Sequence, residues 1–153
     1  MRLVVQRVSR ASVHADGVLL GEIGRGAVVL AGVATDDTAE IVDRMATKLI
    51  GLRYFEDAEG RTNLALEDVD GAALLVVSQF TLLADVRHGR RPGFTEAALP
   101  DMAEPLVERL VAQLRATGAR VETGRFGAMM EVALANDGPF TLVLDSERDL
   151  GTP

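Results

Sequence analysis

Residues 3–33 read LVVQRVSRASVHADGVLLGEIGRGAVVLAGV. Val4, Gln6 and Val8, then Ala11 and Val13, partly alternate as the residues of a half-buried strand do. Asp16-Gly17 is a strong two-residue hairpin signal. Residues 24–33 add a short apolar run after a glycine-rich turn, a third strand. The run G-E-I-G-R-G (21–26) lacks the following helix and the Lys-Ser/Thr of a phosphate loop, so it reads as a turn. Strands that follow one another this closely favour antiparallel pairing over a doubly wound parallel sheet.

Downstream, Thr35–Thr38 opens a helix in which Ile41, Val42, Met45, Leu49 and Leu52 recur at spacings of three and four. Residues 54–72 read as a strand end, a polar turn around Asp57–Gly60, and a loop. Residues 73–83, ALLVVSQFTLL, are a buried strand running into something less regular. A basic loop extends to Pro92. Helical pattern resumes at Met102 with Leu106, Val107, Leu110, Val111 and Leu114, near Pro105 at its start and Gly118 past its end. Residues 119–126, 129–134 and 140–145 complete the strands. The expected fold is α/β in a single domain over 1–153: mainly antiparallel sheet layers of about seven strands, covered by two main helices. The polar tail from about 146 to 153 is expected to fray.

The chain has 153 residues, no cysteine and two histidines, His14 and His88. Disulfides, thiolate nucleophiles and Cys-ligated zinc are thereby excluded, and a His-rich metal site is not expected. No segment approaches the roughly 20 apolar residues of a membrane span, and the N-terminus lacks the pattern of a signal peptide. The expectation is a cytoplasmic protein without metal or cofactor. A net charge of −7 argues against a broad basic face for duplex DNA. It leaves room for a protein that grips a few nucleotides at a single-stranded end. The one basic cluster, Arg87-His88-Gly89-Arg90-Arg91, reads either as a solvated loop or as a phosphate contact.

Three stretches are candidates for chemistry. Ser78-Gln79-Phe80-Thr81 ends an apolar strand, where hydroxyls and an amide are placed to face a pocket; a turn bonding its own backbone is the alternative. A serine or threonine nucleophile needs a base within reach. No Gly-x-Ser-x-Gly elbow is present, and neither histidine sits in a triad context. If the protein is a hydrolase, the attacking group comes from water or from the substrate. Gly124-Arg125-Phe126-Gly127-Ala128-Met129-Met130 sets Phe126 and Met130 around small residues, a flat apolar slot for a ring or plain core packing. In A-N-D-G-P-F-T (135–141), Asn136-Asp137-Gly138 explains a break between two strands. Pro139 directly after Gly138 adds a peptide bond open to the cis form, which can aim two neighbouring carbonyl oxygens the same way. A plain turn is the competing reading.

Together, SQFTL (78–82), GRFGAMM (124–130), NDGPFT (136–141) and the opening MRLVVQRVSRASV resemble the D-aminoacyl-tRNA deacylase family, from Met1 to about Asp145. The resemblance implies a homodimer that hydrolyses the ester joining a D-amino acid to the tRNA 3′ end. It also implies activity on glycyl-tRNA. It further implies that a cis Gly138-Pro139 unit enters the partner subunit's pocket and holds the substrate α-amino group, so that an L side chain is excluded. Ser78, Gln79, Phe80 and Thr81 would form the facing wall and Phe126 and Met130 would pack on the terminal adenosine. Arg87, Arg90 and Arg91 would meet phosphates near the mouth, and the ribose 2′-hydroxyl would assist hydrolysis. Two alternatives stand beside it: a dimeric binder of a free nucleotide or D-amino acid, and a Ser/Thr esterase acting through Thr81 or Ser78.

Overall fold

The computed structural model describes residues 1–151; residues 152–153 lie outside the described part. Strand β1 (Arg2–Ala15) turns at Asp16-Gly17, both at positive φ, into β2 (Val18–Ile23), and β3 (Gly26–Gly32) follows. Helix α1 (Ala39–Gly51), the short hairpin β4 (Phe55–Glu56) and β5 (Thr62–Leu64), and β6 (Ala73–Ser78) come next. Then come α2 (Pro100–Ala116), β7 (Arg120–Thr123), β8 (Glu131–Asp145) and α3 (Ser146–Asp149).

The sheet is mixed, which corrects the mainly antiparallel expectation of about seven strands. Six strands form the main sheet and β4–β5 a separate pair. β1 pairs antiparallel with β2, β3 and β8, whereas β3–β6 and β6–β7 are parallel. The reason lies in the connections. β3 reaches β6 through α1, and β6 reaches β7 through α2; a crossover helix returns the chain to the same end of the sheet, so the next strand runs parallel. β3 and β6 are buried on both faces, as central parallel strands are, so their sequences read as unbroken apolar runs.

The sheet also curls toward a barrel. A Cβ at Gly21 on β2 would lie 3.1 Å from Glu122 Cβ and Thr123 O on β7. Arg120 Nη2 donates to Glu22 O at 3.3 Å across the same seam. Inside the curl pack Val8, Val13, Ile23, Val28, Leu75 and Val77. On the outer face, Leu3, Val5, Val29, Leu74 and Val76 meet the helices. Helix α1 buries Val42, Met45, Ala46 and Leu49 on one stripe, and Thr38 caps it by accepting from Ile41 N–H. Helix α2 buries Ala103, Leu110, Val111 and Leu114. It begins at Pro100, two residues before the pattern suggested, which puts Pro105 inside the helix.

Two further differences matter. β8 is one strand of 15 residues, not two strands separated by a break, because both halves pair with β1. Ser146–Asp149, expected to fray, forms the turn α3, with Asp145 accepting from Glu147 N–H. This end is tied to the N-terminus. The Met1 ammonium donates to Ser146 Oγ at 2.6 Å and is buried against Asp37, and Asp37 Oδ2 accepts from Ala34 N–H at 2.6 Å.

Tyr54 is fully buried and its hydroxyl has no partner among the described residues; burial pushes its phenol well above the usual range. A buried hydroxyl without a partner costs about 1–3 kcal/mol of desolvation. Tyr54→Phe is therefore expected to unfold in urea at the same or a higher midpoint. A loss above about 1 kcal/mol would reveal a partner for that oxygen.

Candidate active site

The end of β6 builds one wall of a cleft of about 770 Å³. Ser78 closes the ladder opposite Ala31, and Gln79 N–H donates to Ala31 O at 2.7 Å. The chain then leaves the sheet in a 3-10 turn, Phe80–Leu83. Gly32 permits this exit: a Cβ there would lie 2.5 Å from Leu83 Cδ2 and 2.9 Å from Gln79 O. Arg2 Nη1 holds the turn from below through Leu82 O at 2.6 Å. Among the described residues, the N–H groups of Phe80 and Thr81 have no hydrogen-bond acceptor. They are the free donors that the start of any helical turn leaves behind.

Ser78, Gln79, Phe80 and Thr81 all line the cleft, together with Phe126 and Met130 from the β7–β8 connection. The structure thus brings together two stretches separated by more than 40 positions in sequence. Met130 sits over Gly124, where a Cβ would lie 2.5 Å from its sulfur, and Arg125 N–H donates to that sulfur at 3.4 Å. Sequence reasoning missed the third wall. Phe94 stacks edge-on against Phe80 with centroids 5.0 Å apart, and Leu99, 77% exposed, stands at the N-terminus of α2. Their signal was faint, since one is in the basic loop's return and the other precedes a proline.

Among the described residues, no ionisable side chain lines the cleft and its only polar side chains are Ser78, Gln79 and Thr81. Gln79 Nε2 donates to Thr81 Oγ1, so the hydroxyl oxygen faces an amide donor rather than a base. Neither His14 nor His88 reaches the cleft, and no cluster of His, Asp or Glu suited to a metal occurs among the described residues.

The peptide Gly138-Pro139 is cis. It lies in a bulge of β8: Gln6 pairs with Thr141 and Val8 with Asn136, so residues 137–140 face Arg7 alone. Arg7, 4% exposed, fills the space beneath. Its Nε donates to Asp137 O at 3.0 Å and its Nη1 to Tyr54 O at 2.8 Å. Glu56 and Asp137 carboxylates both lie at 3.5 Å, and the guanidinium stacks on Phe140 at 4.9 Å. Such a buried cation persists only when its donors are matched. The signal for Arg7 was in the sequence: Leu3, Val5 and Arg7 share the buried face of β1, so a charge stands where the period-two pattern demands an apolar residue.

Gly138 and Pro139 do not line the cleft of their own chain. Ser78 is in register with Ala31, Leu3 and Leu144, whereas the bulge is opposite Arg7. Three strands across and four residues along amount to roughly 20 Å of path measured along the sheet. In the basic loop, Arg87 is turned back onto Asp85, and Arg90 and Arg91 are exposed.

A family model described as D-Tyr-tRNA(Tyr) deacylase matches residues 4–145. The chain belongs to the D-Tyr-tRNA(Tyr) deacylase family. A D-aminoacyl-tRNA deacylase of Chloroflexus aurantiacus is 59% identical over 146 residues, 95% of this chain and 91% of that one. One of Anaeromyxobacter dehalogenans is 57% identical over 148 residues, 97% of this chain and 99% of that one. A solved structure described as c-Myc DNA Unwinding Element Binding Protein superposes with a TM-score of 0.88 at 40% identity, covering 95% of this chain and 98% of that one. A probable eukaryotic D-amino acid tRNA deacylase, 21% identical with a TM-score of 0.80 over 94% of this chain and 97% of that one, shares the deacylase fold.

Gly138 has φ +126, and a Cβ there would lie 3.0 Å from Arg7 Nη2. Gly138→Ala is expected to lose about 1–3 kcal/mol of stability. In a double-mutant cycle with Arg7→Met it should show a coupling of at least about 0.5 kcal/mol. Additive urea-unfolding values would break the link between the two residues.

Proposed function

We propose that this chain hydrolyses the ester of D-aminoacyl-tRNA, and of glycyl-tRNA mischarged on tRNA(Ala), in translation quality control. The observation that carries the reading is a cleft with no acid or base, walled by Ser78–Thr81 and bearing two unpaired main-chain N–H groups. Family membership and the D-aminoacyl-tRNA deacylases among its relatives support the substrate.

In this reading the terminal adenosine lies against Phe126 and Met130, where stacking requires no particular neighbouring sequence. The scissile carbonyl points at the N–H groups of Phe80 and Thr81, which stabilise the oxyanion as it develops. Ser78 and Gln79 position the ester. Water adds to the acyl carbon, the bond from that carbon to O3′ breaks, and the water proton ends on O3′ by way of the vicinal 2′-hydroxyl. The protein supplies orientation. Gln79 holding the Thr81 hydroxyl speaks against a threonine nucleophile.

Selectivity belongs to the second copy of the chain. Gly138 and Pro139 are exposed, stand outside the ladder and lie too far from their own cleft. In a homodimer they enter the partner's cleft, where their carbonyl oxygens accept from the substrate ammonium and leave no room for an L side chain. Glycine, lacking a side chain, passes. The free edge of β8 supports the assembly. A long edge strand with Leu134 42% and Val143 47% exposed is a surface that proteins cover. So are the apolar lips of the cleft.

A paired assay on D- and L-aminoacyl-tRNA carrying one amino acid tests the function: the D ester is cleaved and the L ester persists. With a 2′-deoxy terminal adenosine the rate should fall by roughly 10² or more, while Thr81→Ala retains turnover. Full-rate cleavage of the deoxy substrate with a dead Thr81→Ala reverses the mechanism. Sedimentation at micromolar concentration is expected to give twice the chain mass of 16.3 kDa; an active monomer would remove the shared site.

A further inference from the structure

The chain carries a net charge of −7, so a polyanion is repelled on average and must dock where positive charge is locally uncompensated. Many of the arginines are not available for that, although Arg10 and Arg25 are exposed and have no carboxylate partner among the described residues. Arg61, Arg109, Arg120 and Arg148 are paired with carboxylates within 3.2 Å. Arg7 is buried, and Arg115 donates twice to Val121 O.

The basic loop divides in the same way. Its base is closed by two hydrogen bonds, Asp85 N–H to Gly93 O and Gly93 N–H to Asp85 O, each 2.8 Å. Asp85 then takes both arms of Arg87: Nε at 2.9 Å on one oxygen and Nη2 at 2.8 Å on the other, with Arg87 N–H at 2.9 Å besides. Hydrogen bonds from Arg87 hold the Asp85 carboxyl down at about 2, and Glu96 lies 3.9 Å from the same guanidinium. Arg87 shapes the loop; its charge is already answered. Gly89, at φ +73, turns the tip. Arg90 and Arg91 follow it, both exposed, with no ion-pair or hydrogen-bond partner among the described residues.

Their position relative to the cleft is set by a short covalent path. Gly93 leads directly to Phe94, which lines the cleft and stacks on Phe80. Arg91 is three residues from Phe94, at most about 10 Å of extended backbone. Two adjacent unanswered guanidinium groups therefore belong to the segment that leads into a cleft lined, among the described residues, by no charged side chain.

We propose that Arg90 and Arg91 form a phosphate clamp that holds the RNA backbone just behind the terminal adenosine, and that Arg87 is the brace that presents them. The proposal rests on the tRNA reading of the cleft and adds the residues that dock the nucleic acid outside it. Arginine suits the task, since its planar fork meets phosphate oxygens two at a time. The clamp contacts only backbone, so it favours no base, which fits a protein that must accept many tRNA sequences.

The test is a binding measurement on the full-length protein with uncharged tRNA, following affinity as a function of salt. Arg90→Ala/Arg91→Ala should weaken binding roughly tenfold near 100 mM salt. It should also flatten the log–log salt slope by about 1.4, from 0.7 per lost phosphate contact. Arg90→Lys/Arg91→Lys should restore most of the slope, and Arg109→Ala, on the far side of α2, should change neither quantity. A double variant with wild-type affinity and slope overturns the clamp. Because the readout is binding, it separates from the deacylation assay. A chain that binds tRNA through residues 90 and 91 but cleaves no D ester refutes the deacylase reading and upholds the clamp. A chain that cleaves but is blind to these residues does the reverse.

Discussion

β1 has two edges and three partners. One edge serves β3 along Arg2–Val8 and then β2 along Ala11–Ala15; the other carries β8 over nearly its whole length. The register is the same from Arg2↔Gly32 to Val13↔Gly21, so β3 and β2 continue one another along that edge, interrupted only at Gly24-Arg25. Along the other edge the register of β8 shifts on either side of Val8. The extra residues opposite Arg7 are the bulge that contains Gly138 and Pro139. The pairing of both flanks of β8 with one strand thus frames the segment that departs from the ladder.

Arg7 turns that bulge from a defect into a fixed object. A guanidinium buried this deeply must find acceptors, and it finds them in two main-chain carbonyls, two carboxylates and an aromatic face. The same contacts that satisfy the cation hold residues 137–140 in place. Preorganised main-chain groups are effective because they need not reorganise as charge develops. On the proposed reading the protein uses such groups twice, with N–H donors at Phe80 and Thr81 and carbonyl acceptors at Gly138 and Pro139. An uncharged cleft is consistent with a reaction in which the substrate's own hydroxyl moves the proton.

Some of these features are plain from the order of residues alone. The hairpin at Asp16-Gly17, the two amphipathic helices and the stretches at 78–81, 124–130 and 138–139 all follow from local pattern, and those stretches also carry the family resemblance. The pairing of β3 with β6 and β6 with β7 was not legible. Parallel neighbours are brought together by crossover helices rather than by a turn, and no dipeptide marks them. The continuity of β8 was hidden for a related reason. Asn136-Asp137-Gly138-Pro139 has the composition of a turn, and only pairing of both flanks to β1 makes it a bulge. Arg87 illustrates the limit for side chains: composition counts it with Arg90 and Arg91, and only the closed loop shows Asp85 holding it.

Local chemistry in the sequence determined which backbone conformations are cheap, which faces are apolar, and that no cysteine, histidine cluster or catalytic triad is on offer. The tertiary structure decided which of those segments meet. It set Phe126 and Met130 against Ser78–Thr81, put a cation under Gly138, and kept that glycine out of its own chain's cleft. Neighbours along the chain interact through steric and hydrogen-bonding rules that each residue carries with it. Distances between remote segments depend on the register and curvature of the whole sheet, which no single residue encodes.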